Sequence, residues 1–203
     1  GDVIVPERWY YHDESVYTNE DPENPGEYVL PAYYEKFMEE QPARLAADPH
    51  YPKYKPFHFI HPDEVLIVKD GMDKPQDTPY FTASPKLLAA AKTAMAEMPI
   101  QRILDERDAK LHVGGNGVTG SVFMDNREYR KWVRDVFTAE VTEMESTAIG
   151  QVCTINNVDW VIIRAISDLA GGQEGVNTEN LYDKEVSRVG ANVLFAVLDE
   201  LAE

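Results

Sequence analysis

The sequence predicts an α/β fold built on a mostly parallel or mixed sheet. Three observations carry this. From residue 84 onward, short apolar runs alternate with segments of helical periodicity, the pattern that folds into layered strand–helix units. The run Val161-Ile162-Ile163 lacks polar alternation, as expected of a strand covered on both faces. Acidic residues stand where two of the predicted strands end, at Glu143 and at Asp168. In α/β sheets, ligands sit beyond the carboxyl ends of strands. The two acidic ends are therefore expected to face one crevice.

In chain order, Val3-Ile4-Val5 reads as a short strand stopped by Pro6, and Trp9 to Asp13 as an aromatic and polar cluster. Residues 14–26 are rich in Glu, Asp, Asn and Pro and read as a loop. Helical composition runs from Ala32 to Ala47, interrupted by Pro42. Residues 49–56 read as irregular, 65–68 as a strand or edge element, and 70–79 as another loop. Residues 14–80 together read as an elaborated insertion whose Tyr33, Tyr34 and Phe37 cover a pocket rim or a subunit interface.

The regular part begins at Ser84-Pro85, a serine cap followed by proline at the first helical position. A strand over 110–113 leads into the glycine-rich run Gly114 to Gly120. That run either brings backbone close to a flat ligand edge or is a flexible strand–helix loop. Asn126 opens a helix with Tyr129, Trp132, Val133 and Val136 on one side. A strand over 139–143, a helix over 145–155 and a strand over 160–166 follow. Asp183 is expected to cap a last helix striped by Val186, Val189, Val193, Leu194, Val197 and Leu198.

The 203 residues are 43% hydrophobic and 27% charged, ordinary for a globular protein, with a formal net charge of -17. That charge argues against nucleic acid and anionic membrane as partners. No run of about 18 apolar residues is present to span a bilayer. The single cysteine, Cys153, excludes an internal disulfide and reads as core. These features and the lack of a signal pattern fit a cytoplasmic chain; a secreted or periplasmic form with its leader removed is the alternative. His58 and His61 are close, but without a nearby third ligand they do not make a metal site. His12 reads as a packed or surface residue.

Asp168 is either a proton donor, partly desolvated at a strand mouth, or the cap of the turn at Gly171-Gly172. Strand alternation puts Glu143 and Glu145 on one side and Met144 on the other. Such carboxylates suit a vicinal diol, with methionine as an apolar floor. Alternatively, Glu145 sits in the first turn of a helix, where the dipole favours acids.

Taken together, Glu143-Met144-Glu145-Ser146-Thr147-Ala148 and Val161-Ile162-Ile163-Arg164-Ala165-Ile166-Ser167-Asp168 resemble the nucleoside phosphorylase superfamily. The likeness is to its methylthioadenosine/S-adenosylhomocysteine nucleosidase branch, and the opening Gly1 to Val5 with Tyr11-His12-Asp13 is similar to that branch too. Gly114 to Val118 with Phe123 to Arg130, and Ser167 to Gly172, look more like the bark and vegetative storage protein branch. The resemblance implies a single phosphorylase-like domain over 1–203, with a three-layer fold around a twisted mixed sheet whose N-terminal strands this chain lacks. It implies a homodimer that cleaves the N-glycosidic bond of a purine nucleoside, without cofactor. By residue, it implies that Asp168 protonates the departing base and Glu145, beside Glu143, binds ribose hydroxyls. Met144 would pack beneath the sugar, Ser167 would hold the Asp168 loop, Glu143, Arg164 and Ser167 would join the substrate-binding set, and backbone near Val118 would read the base edge. The missing stretch would supply a water-positioning glutamate and the phosphate-binding loop or its replacement. A phosphate-dependent phosphorylase and a silent nucleoside-binding or storage protein are the alternatives.

Overall fold

The computed structural model describes residues 1–103, 107–174 and 179–202. The chain opens with strands β1 (Val3–Val5), β2 (Arg8–Tyr11) and β3 (Ser15–Tyr17) and helix α1 (Ala32–Ala47). Strands β4 (Ile60–Pro62), β5 (Val65–Ile67), β6 (Gln76–Thr78) and β7 (Phe81–Thr82) follow, then helix α2 (Pro85–Glu97). The second half comprises β8 (Arg102–Ile103), β9 (Arg107–Asp108), β10 (Leu111–Val113), β11 (Asn116–Thr119), α3 (Arg127–Phe137), β12 (Ala139–Glu143), α4 (Ser146–Ile155), β13 (Arg164–Ala165) and α5 (Glu179–Ala202). The expected mixed α/β architecture is present.

Two long bent strands organise it. β1 runs parallel to β10, and β2 parallel to β11. Between them the pairing continues through Gly114 N–H to Val5 O and Glu7 N–H to Gly115 O. Pro6 on one strand and positive φ at Gly114 and Gly115 on the other allow the bend. The sheet orders β10-β1-β13 and β12-β11-β2-β7 are therefore two halves of one kinked surface. Within the glycine-rich run, Asn116 to Thr119 are thus not a loop but the buried central strand β11, with Gly114 and Gly115 forming the bend that leads into it. Gly117 is there for space, since a Cβ would lie 2.6 Å from the Trp9 ring.

Three cores cover this surface. Helices α2 and α5 pack Ala91, Ala94, Val189 and Val193 onto Val3 and Val5 of β1. Helix α3 packs Trp132, Val133 and Val136 near Tyr10 and Val118. Trp9, Phe81, Val141 and Trp160 form the third, with Cys153 half-buried at its edge. On α5 the buried stripe is Val186, Val189, Val193 and Val197, while Leu194 and Leu198 face outward. The described part of the helix runs from Glu179, so Asp183 lies inside it; its side chain is outside the described residues.

The structure corrects several local expectations. The cluster at Trp9 to Tyr11 is strand, because Trp9 and Tyr10 are each buried on opposite faces of β2. The predicted loops carry β3, paired with β4, and β6, paired with β5, in two short antiparallel ladders. The strand expected over 160–166 shrinks to β13, although its side chains do pack toward two cores. Ser84 does not cap α2 with its hydroxyl. That group donates to Asp159 at 2.8 Å and accepts the Trp160 N–H at 2.9 Å, joining the helix start to the segment before β13.

Residues 14–80 share the α3 core. Tyr34 is buried, and Phe37, Tyr51, Tyr54 and Phe57 pack with Trp132 and Phe137, while Tyr33 is exposed. The Lys53 N–H bonds Val136 O at 2.9 Å, and Trp132 Nε1 donates to Lys55 O at 3.0 Å. Inside the segment, Arg44 grips both oxygens of buried Glu64 at 3.2 and 3.3 Å, and Tyr51 donates to the same carboxylate. Burial pushes the Glu64 carboxyl above its usual range, with the Tyr51 bond and the Arg44 charge opposing that shift.

His12 is fully buried. Its Nδ1 lies 3.1 Å from the Tyr129 hydroxyl, which donates to His12 O at 3.2 Å. Burial lowers its pKa from 6.5 to about 4, with Asp13 opposing the shift. Above pH 6.5 folded and unfolded chains both hold neutral imidazole. Below it the unfolded chain takes up a proton that the folded one refuses, so stability falls until about pH 4. The loss is on the order of 3 kcal/mol. Urea unfolding of wild type and His12→Gln across this window should show a stability difference that changes with pH in that direction. A constant difference would contradict the assignment.

Candidate active site

The site forms where β11 and β12, running parallel with Thr119 opposite Glu143, both end. Glu143 turns its carboxylate back onto the start of α4. It accepts from the Ser146 N–H at 2.9 Å, the Ser146 hydroxyl at 2.8 Å, the Glu145 N–H at 3.0 Å and the Thr119 hydroxyl. Thr119 Oγ1 in turn accepts the Thr147 N–H at 2.9 Å. Free N–H groups at a helix N-terminus attract negative charge, so this arrangement stabilises both the helix and the carboxylate.

Arg164 reaches in from β13. It contacts the carboxylates of Glu143 and, at 2.7 Å, Glu145, and its Nε donates to Ser146 Oγ at 3.0 Å. Burial pulls the guanidinium pKa down from its ordinary value. Two carboxylates at contact distance keep it charged. The acids thus converge, but not by strand alternation: β12 ends at Glu143, and Glu145 is the turn residue before α4. The helix begins at Ser146, one residue later than expected. Glu143 is the closed carboxylate, with its side chain 12% exposed, and Glu145 the open one, at 63%.

Asp168 lines the same cavity from the segment after β13. The Ser167 hydroxyl donates to its Oδ2 at 2.8 Å, and its Oδ1 accepts the Ala170 N–H at 2.7 Å. Ala170 and Gly171 have positive φ, so the aspartate closes a tight turn while lining the cavity. The two readings of Asp168 are compatible: the turn fixes the carboxylate at the mouth.

A cavity of about 670 Å³ joins these groups. Val118, Glu143, Met144, Glu145, Arg164, Ser167 and Asp168 all line it, so the structure brings together every site residue expected from the sequence. One role needs correction. Val118 lies in the middle of β11, paired with Tyr10 on one side and Thr142 on the other. Its backbone belongs to the ladder and has no edge to offer a ligand. The loop residues Val122, Phe123 and Met124, beyond the strand end, line the same cavity. None of residues 14–80 does among the described residues, so the expected pocket rim is instead the outer flank of α3.

The lining also includes a basic wall that the sequence reading missed: Arg130, Lys131 and Arg134 of α3. The signal was their placement on the polar side of an amphipathic helix, a pattern shared with any solvated face. Thr119 and Ser146 were missed as well, because hydroxyls that hold a carboxylate leave no spacing motif. Among the described residues, no group of three or more His, Cys, Asp or Glu is placed to hold a metal ion. No described helix is long and apolar enough to cross a membrane.

The profile of the phosphorylase superfamily matches residues 1–203. The chain belongs to the phosphorylase superfamily. It is 35% identical over 125 residues to the 5'-methylthioadenosine/S-adenosylhomocysteine nucleosidase of Bacillus thuringiensis (strain Al Hakam), covering 61% of this chain and 49% of that protein. It is 34% identical over 124 residues to the corresponding protein of Bacillus cytotoxicus, with the same coverage. The chain thus spans about half the length of the curated relatives it matches. A nucleosidase from Colwellia psychrerythraea 34H, solved in complex with adenine, superposes with a TM-score of 0.58 at 21% identity, covering 98% of this chain and 60% of that one. Futalosine hydrolase of Helicobacter pylori superposes at 0.57 and 19%, with the same coverage. At these identities the structural likeness shows the fold.

The two glutamates should separate in a stability measurement. Glu143→Ala removes a capping carboxylate and leaves buried N–H and hydroxyl groups unpaired, a loss of roughly 1.5–3 kcal/mol. Glu145→Ala removes an exposed ion pair worth less than about 1 kcal/mol. Urea unfolding of both variants checks this, and the reverse order would refute the capping role of Glu143.

Proposed function

We propose that this chain carries the sugar-binding and proton-donating side of a purine nucleoside N-ribosyl hydrolase, acting on a methylthioadenosine/S-adenosylhomocysteine-type substrate. The observation that carries the reading is the convergence of Glu145, Arg164 and Asp168 on one cavity from separate elements, in a chain whose curated relatives bear the nucleosidase name. The small-molecule partner in this reading is a purine nucleoside. The residues belong to a single phosphorylase-type domain, elaborated at 14–80, in a homodimer.

Cleaving an N-glycosidic bond moves electrons from the bond into the base and leaves positive charge on the ribosyl ring. Asp168, fixed by Ser167 and the Ala170 N–H, would give its proton to the base so that it departs neutral. Glu145, held by Arg164 and open to the cavity, would accept hydrogen bonds from the ribose hydroxyls. Its negative charge would also favour the cationic ring as it forms. Met144, 44% exposed on the lining, would supply the apolar floor beneath the sugar. Glu143 does not bind substrate in this reading; its oxygens are occupied by α4, Thr119 and Arg164, and it holds Glu145 in place.

Asp168→Asn keeps the size of the side chain and removes the proton. Release of free base from methylthioadenosine by the full-length protein should fall about 10²–10⁴-fold. Wild-type release by this variant would end the assignment. Running the assay with and without phosphate separates hydrolysis from phosphorolysis, and no release by the wild type would favour a silent binding protein.

Glu145→Gln should weaken nucleoside binding by about 1.5 kcal/mol, the low end for a charged hydrogen bond because the group is open to solvent. Adenine, which lacks the sugar, should bind almost as before. Calorimetry with both ligands makes the comparison, and equal losses would place Glu145 elsewhere.

A further inference from the structure

We infer that Arg130 is a positioning residue that sets the Asp168 turn, an inference that rests on the proposed role of Asp168. The turn hangs between β13 and α5, and its own hydrogen bonds are local: Asp168 Oδ1 with the Ala170 N–H, and Leu169 O with the Gly172 N–H at 2.9 Å. Local bonds shape a turn but do not locate it. The α3 helix supplies the location. Arg130 Nη1 donates to Leu169 O at 3.0 Å, the same carbonyl that closes the turn.

The backbone is built to receive that guanidinium. A Cβ on Gly172 would stand 2.1 Å from Arg130 Nη1 and 2.3 Å from its Cζ, so the flat group lies directly against a residue with no side chain. Gly171, at φ +79, approaches the start of α3 so closely that a Cβ would lie 2.5 Å from the Asn126 nitrogen. Next along, Gln173 Nε2 donates to Asp125 at 3.2 Å and Arg127 Nη2 to Gln173 O at 3.4 Å. Residues 169–173 are thus seated on the first turns of α3, and Arg130 is the contact nearest the acid. It also lines the cavity itself. A lysine cannot replace it fully, because an ammonium lacks the planar face that fits against Gly172.

The consequence is kinetic. Displacing a reacting group by about 1 Å can cost on the order of 10²-fold in rate without changing what the substrate touches. In the full-length protein, Arg130→Met should lower kcat for methylthioadenosine about 10- to 100-fold, leave KM nearly unchanged, and speed hydrogen exchange at the Ala170 and Gly172 amides. Arg130→Lys should recover part of the rate. Gly172→Ala should cost a similar amount in the wild-type background but nothing further in Arg130→Met, because its clash is with the missing guanidinium. Unchanged kcat in Arg130→Met, or full additivity of the two substitutions, would overturn the inference. Should Arg130→Met not fold, Arg130→Lys and Gly172→Ala must each show the kcat loss at constant KM, and wild-type kcat in both would overturn it. If Asp168→Asn also turns over at the wild-type rate, the reading of Asp168 is what has failed. If only the Arg130 and Gly172 variants do, Asp168 keeps its role and Arg130 loses its own.

Discussion

The site depends on one ionic knot, in which Arg164 meets Glu143 and Glu145 at the start of α4. A half-buried guanidinium and a nearly closed carboxylate are each costly alone, since either charge without its partner loses hydration that nothing replaces. Together they are satisfied, and the remaining lone pairs of Glu143 take up the free N–H of the helix. The arrangement therefore fixes three things at once. It sets the direction in which α4 leaves β12, the distance of β13 from β12, and the orientation of the open carboxylate of Glu145. The two strands are not hydrogen-bonded neighbours, so this side-chain bridge does what a ladder does elsewhere.

Around the knot, hydroxyls transmit position. Thr119 donates to Glu143 and accepts from the Thr147 N–H, and the Thr147 hydroxyl donates to Tyr10 O at 2.8 Å. A chain of buried bonds thus runs from β2 through α4 to the acid. Each link is a group that would be unsatisfied if its neighbour moved, which makes the geometry stiff at little cost in net charge. Asp168 is held differently, by a turn seated on α3. One wall of the cavity is thus tied to the sheet and the other to a helix, and a change in their separation would alter the fit to a bound molecule.

The 14–80 segment shows how polar, proline-rich sequence can still be ordered. Its aromatics add to the α3 core, and Arg44 pairs with Glu40, Glu64 and Asp77 inside it. Tyr10 donates to His50 O at 2.9 Å and Tyr80 to Asp48 at 2.6 Å, binding the irregular stretch to the sheet. This mass packs on α3, the helix that also carries the basic wall of the cavity. The segment thereby braces the helix on which the Asp168 turn rests.

The sequence by itself determined the helices and the acids. The helix opened by Asn126 and the strand ending at Glu143 follow from capping and periodicity, which are local properties, and Ala32 to Ala47 follows from composition, although the interruption expected at Pro42 does not occur and α1 runs unbroken through it. The family followed from Glu143 to Ala148 and Val161 to Asp168, because those two runs together are specific where each alone is not. Tertiary structure decided the rest. Only folding revealed that Asn116 to Thr119 form a buried strand, since the reason for Gly117 is the Trp9 ring packed against it from far along the chain, while Gly114 and Gly115 make the bend before it. Only folding divided the work between Glu143 and Glu145, which are chemically alike and two residues apart, by giving one of them a helix end to cap. The basic wall of α3 and the seat for the Asp168 turn were hidden for the same reason. Charge on the polar side of a helix has one appearance in sequence, and what stands opposite it is set by contacts between elements about forty residues apart.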